Sequence, residues 1–101
     1  MSGASLAPSG DARWELAGAL DFSSVPEIWP SLEKLLRAGG ELTLSLSGVN
    51  HANSAGLVLL VEARDLARQG NCQLKLVDIP DELLDLARMS RCEDLIAVNG
   101  V

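Results

Sequence analysis

Glu41-Leu42-Thr43-Leu44-Ser45-Leu46-Ser47 alternates a leucine with a hydrophilic residue without a break. In an extended chain successive side chains point to opposite faces. The stretch therefore reads as a strand that buries Leu42, Leu44 and Leu46 and leaves Thr43, Ser45 and Ser47 less buried. Downstream, Gly48-Val49-Asn50-His51-Ala52-Asn53 is rich in turn-forming residues and reads as a loop. Ser54 to Gln69 follows as a helix closed by Gly70, and Gln73 to Val77 as a second strand in which Leu74 and Leu76 flank Lys75. Pro80 opens a further helix, with Asp81 and Glu82 suited to its first turn and Arg88 and Arg91 to its end. Leu95 to Val98 is short and apolar enough for an edge strand.

Upstream of the alternating stretch, Gly39-Gly40 ends a helix whose apolar residues Val25, Ile28, Trp29, Leu32, Leu35 and Leu36 recur at helical spacing. Ser24-Val25-Pro26-Glu27 has the spacing of a capping box at its start, while Pro30 predicts a kink or a later start. Gly18-Ala19-Leu20-Asp21 reads as a turn, and Arg13 to Ala17 as a half-buried strand with Trp14 and Leu16 inward. Residues 1–10, rich in Ser, Gly, Ala and Pro, form either a flexible segment or a first edge strand. Residues 11–101 form one domain. Alternation of strands with helices implies an α/β fold: a mixed, partly parallel sheet covered by three to four helices.

Hydrophobic residues make up 48% of the 101, which is enough to fold, and the net charge is −6. Trp14, Phe22 and Trp29 are the aromatic residues, so the core must be aliphatic. The acidic balance argues against nucleic acid or anionic lipid as a direct ligand. No apolar run approaches the ~20 residues of a membrane span, and the first residues lack the charged start and apolar run of a secretory signal. Cys72 and Cys92 stand far apart, with one His in the chain, so neither a metal site, a cofactor nor a disulfide framework is expected.

Functional character gathers around Ser54. His51-Ala52-Asn53-Ser54-Ala55-Gly56 joins the carboxyl end of a strand to the amino end of a helix, the place where open α/β sheets dock ligands and partners. Ser54 itself suits an N-cap. Leu57-Val58-Leu59-Leu60-Val61 then runs right round the helix, so its five side chains cannot all face one sheet. Ser54, Val58, Glu62, Asp65 and Gln69 form the stripe richest in polar groups. That leaves Val58 either exposed on it or covered by another helix. The loop has one Gly and no following Lys, unlike a phosphate-binding P-loop, and no oriented acid accompanies His51 and Ser54 as a catalytic triad requires. Asp78, Asp81, Glu82 and Asp85 read as a solvated helix start.

These residues resemble the STAS domain family along nearly the whole chain. Leu16-Ala17-Gly18-Ala19-Leu20-Asp21 is similar to the family's L-x-G-x-L-D, and Leu42 to Leu46 to its central strand. Asn53-Ser54-Ala55-Gly56-Leu57 resembles its D-S-[ST]-G-L loop, with Asn53 in place of the Asp and Ala55 in place of the second hydroxyl residue. Leu86-Ala87-Arg88 falls in its late helix. In the family's anti-sigma factor antagonists the Ser matching Ser54 is phosphorylated by a partner kinase, which puts Ser54 forward as a switch position. The short chain and Trp29 in the first helix look more like the MlaB group, the STAS subunits of phospholipid ABC transporters. That resemblance implies a non-catalytic accessory subunit, cytoplasmic and held at the inner membrane by the transporter. Its partner would be the transporter's ATPase, contacted through His51, Asn53, Ser54, Val58, Glu62 and Asp65. The anti-sigma factor antagonist is the alternative.

Overall fold

The computed structural model describes residues 3–92, which form seven elements. In chain order these are β1 (Ala4–Gly10), β2 (Arg13–Leu20), α1 (Val25–Arg37), β3 (Gly40–Ala52), α2 (Ser54–Gln69), β4 (Cys72–Val77) and α3 (Asp81–Met89). The sheet order is β1-β2-β3-β4, antiparallel at the β1–β2 hairpin and parallel across β2–β3 and β3–β4. Each parallel pair is joined by a helix, as a parallel connection demands. This is the mixed, partly parallel α/β sheet expected from the alternation of elements. The strand expected at Leu95 to Val98 lies outside the described residues.

The alternating leucines set the core. Leu42, Leu44 and Leu46 are buried with Leu16 and Leu20 of β2 and Leu74 and Leu76 of β4, beneath Leu32 and Leu36 of α1 and Leu59, Leu60 and Ala63 of α2. The opposite face of the sheet carries Arg13, Glu15, Thr43, Ser47, Gln73 and Lys75, all exposed or half-buried. Ser45 departs from expectation: it is only 2% exposed. Its hydroxyl donates to Asp78 Oδ2 at 3.1 Å, Ser47 Oγ donates to Glu15 Oε2 at 2.6 Å, and Arg13 lies 3.8 Å from Asp78. Polar neighbours cover Ser45, and its hydrogen bond offsets the cost of burying a hydroxyl.

Several local readings are corrected by tertiary pairing. The turn expected at Gly18 to Asp21 is strand as far as Leu20, because Gly18 takes φ +89° and absorbs an irregularity in the β2–β3 register. The loop expected at Gly48 to Asn53 is strand as far as Ala52, with Gly48 opposite Ala17 and Ala52 opposite Leu20. Gly48 serves close approach there: a Cβ on it would lie 2.7 Å from that of Ala17. Pro30 neither delays nor interrupts α1, which starts at Val25; Pro30 lies on the exposed side, where water can serve the carbonyl it leaves unpaired. The capping box does not form. Asp21 Oδ1 instead accepts the N–H groups of Ser23 and Ser24 at 3.0 and 2.9 Å, while Ser24 Oγ turns inward to donate to the Ala19 carbonyl at 2.6 Å. A charged acceptor has taken the donor that Glu27 would have served.

Candidate functional site

Helix α2 begins where β3 stops. Asn53, in extended conformation, is the N-cap: its Oδ1 accepts the Ala55 N–H at 2.9 Å, and its own N–H donates to the Leu20 carbonyl at 3.1 Å. The cap expected of Ser54 therefore belongs to Asn53, because the short amide one residue earlier reaches the free N–H first. Ser54 is left as the first helical residue, exposed, with a hydroxyl that has no hydrogen-bond partner among the described residues.

Helix α3 is fixed beside it. Glu82 Oε1 accepts the Ala52 N–H at 2.9 Å, tying the first turn of α3 to the end of β3, and His51 Nδ1 lies 3.6 Å from the same oxygen. Gly56 brings the helices together: a Cβ there would lie 3.3 Å from Leu83, which is fully buried. Glu82→Ala should leave the Ala52 N–H without its acceptor and lower stability by about 1–3 kcal/mol, whereas Glu82→Gln keeps an acceptor and should lose less. Urea denaturation of the two variants checks this; equal losses would mean that the ion pair with His51, not the bond to Ala52, matters.

Two hollows flank α2. His51, Ala52, Asn53 and Ser54 line one with Glu82, Asp85, Leu86 and Met89, about 430 Å³ in volume. Val58, Leu59 and Glu62 line the other, about 360 Å³, with Val25, Pro26 and Trp29 of α1, and it continues past Ala55 to Phe22. Of the apolar run on α2, Leu57, Leu59 and Leu60 are buried and Val61 half-buried, while Val58 is 56% exposed. The other large exposed apolar side chains among the described residues are Phe22 at 72% and Met89 at 80%, and each lines one of these hollows. Thus His51, Asn53 and Ser54 gather on one side of α2 and Val58 and Glu62 on the other. Asp65 is exposed on the same stripe but borders neither hollow. Phe22 and Met89 escape sequence reading, since only the fold brings the start of α1 to one side of α2 and the end of α3 to the other.

The electrostatics of this region are acidic. Backbone N–H of Ser24, then the hydroxyl and N–H of Ser23, hold the Asp21 carboxyl below its ordinary range. Cys72 is buried on β4, and burial pushes its thiol up; Cys92 is half-buried, and both are free. No cluster of metal-binding side chains occurs among the described residues, and no described helix is long and apolar enough to cross a membrane.

A family profile described as "Mlab, STAS domain" matches residues 7–97. The chain belongs to the STAS family. Its fold is similar to that of the anti-sigma factor antagonist SpoIIAA in its unphosphorylated form, with a TM-score of 0.66 over 97% of each chain at 13% identity. At that identity the likeness is one of fold. No curated protein matches the chain in sequence. In this STAS domain the family's loop motif coincides with the α2 start and its two flanking hollows.

Proposed function

We propose that this STAS domain is a non-catalytic accessory subunit. It docks through the face around Ser54 onto the cytosolic ATPase of a phospholipid-transport ABC transporter and supports that ATPase's assembly or activity. Phe22 and Val58, exposed together in the hollow between α1 and the start of α2, carry the reading. Large apolar side chains left in water at one place mark a surface that a partner covers. His51 faces Glu82 rather than Ser54, which supports a contact role for the site over a nucleophilic one. The family profile's description, which names Mlab, supports the transporter class of partner; on this reading the protein works in the cytoplasm, at the inner membrane only through that partner.

Isolation of the chain from its native cells, followed by identification of what accompanies it, tests the proposal. A transporter ATPase is the expected companion. A soluble kinase instead would favour an anti-sigma factor antagonist, the second reading, which rests on the exposed hydroxyl of Ser54, without a hydrogen-bond partner among the described residues. A phosphate on Ser54 would sit at a helix amino terminus, where the dipole and free N–H groups favour negative charge. Ser54→Asp should therefore keep the melting temperature of the free domain and weaken its complex. Loss of folding in that variant would make Ser54 a structural residue and remove the switch.

A further inference from the structure

We infer that the segment docking on this face is an amphipathic helix whose apolar anchor is set among lysine or arginine side chains, lying along the groove between α1 and α2. The inference rests on the docking reading above and adds the partner's chemistry. The groove runs between two helices from Phe22 past Val58 to Trp29, a shape that receives one face of a third helix.

The one charged side chain lining it among the described residues is a carboxylate. Glu62 lines the groove, Asp65 follows on the same stripe of α2, and Asp21 adjoins Phe22. Neither Glu62 nor Asp65 has an ion-pair partner among the described residues, and Asp21 is bound by N–H groups and a hydroxyl rather than by a cation. No Lys or Arg lines this groove or the hollow beside Ser54. Arg88, on the neighbouring α3, is engaged by Asp85 at 2.7 Å, and Arg37, at the far end of α1, by Glu33 at 2.9 Å. A second copy of the chain would bring the same carboxylates face to face, and an anionic membrane would be repelled by them. A cationic rim around an apolar anchor is the complement that remains.

Two synthetic helical peptides with the same leucine stripe, one flanked by lysines and one by glutamates, serve as probes, titrated into the full chain and followed by NMR. The lysine peptide should bind saturably and shift Val25, Trp29 and Val58, while the glutamate peptide should not bind. Raising salt from about 0.05 to about 0.5 M should weaken binding. Reversing Glu62 and Asp65 together (Glu62→Lys with Asp65→Lys) should weaken it on the order of tenfold without altering the fold. Equal binding of both peptides, binding of neither, or self-association of the chain through Val58 overturns the inference. If Val58→Glu abolishes binding to the co-purified partner while the double charge reversal does not, the docking face stands and its cationic partner falls.

Discussion

Leu44→Ala should cost about 2–5 kcal/mol, a large share of the roughly 5–15 kcal/mol that holds a small domain together. Leu44 is fully buried on β3, and its backbone neighbours are Trp14 on β2 and Leu76 on β4. A strand hydrogen-bonded on both sides cannot move in to fill the space that a lost isobutyl group leaves. The cavity therefore persists, and its cost adds to the lost transfer energy. Thr43, one residue earlier, points to the open face and is half-buried, so Thr43→Ala should cost only a fraction as much. Urea denaturation of the two variants makes the comparison internal. A loss under about 1 kcal/mol for Leu44→Ala would show that the leucine face of β3 is not the centre of the core.

The contrast between those two neighbours was legible without coordinates because strict alternation ties side-chain identity to a face of the sheet. Legibility stopped where residue type and backbone role part company. Gly48 and Asn50 are turn formers by preference, yet β3 continues through them: Gly48 pairs with Ala17, which demands a residue without a side chain, and Asn50 falls at the register irregularity between Val49 and His51, which pair with Gly18 and Ala19. Only the partner strand reveals this. The start of α1 shows the same limit: Ser24 and Glu27 have capping-box spacing, but Asp21 reaches the Ser24 N–H with a charged acceptor and the Ser24 hydroxyl is drawn into the interior.

At the site, helical periodicity was informative about α2 and silent about its surroundings. Turning the helix at ~100° per residue places Ser54 and Val58 on one stripe, and both are exposed in the fold. That Phe22 at the start of α1 extends one hollow and Met89 at the end of α3 the other depends on how each helix packs on α2, which spacing along one of them does not encode. Glu82 shows the converse. Its place in the first turn of α3 suggested nothing beyond a favourable helix dipole, whereas in the fold it grips the Ala52 N–H beneath Ser54.

If the hollow between α1 and α2 is the docking face, Val58→Glu should reduce affinity for the partner at least tenfold, about 1.4 kcal/mol, while leaving the free domain as stable as before. Val58 lies between Phe22 and Ala55 on one side and Trp29 on the other, with Glu62 one turn below. In the free domain a glutamate there extends into water, and it is a better helix former than valine. In the complex the same carboxylate would face the partner's apolar anchor rather than its cationic rim, and would lose its water beside a like charge. The two effects separate cleanly in one variant when melting temperature and co-purification of the proposed partner are measured together. A lowered melting temperature would mean that the mutated position supports the core, and weakened binding would then say nothing of contact. A stable variant that binds normally would move the interface off α2. Leu83 is buried in the core and Arg88 is engaged by Asp85, so the surface of α3 around Met89 would be the next to test.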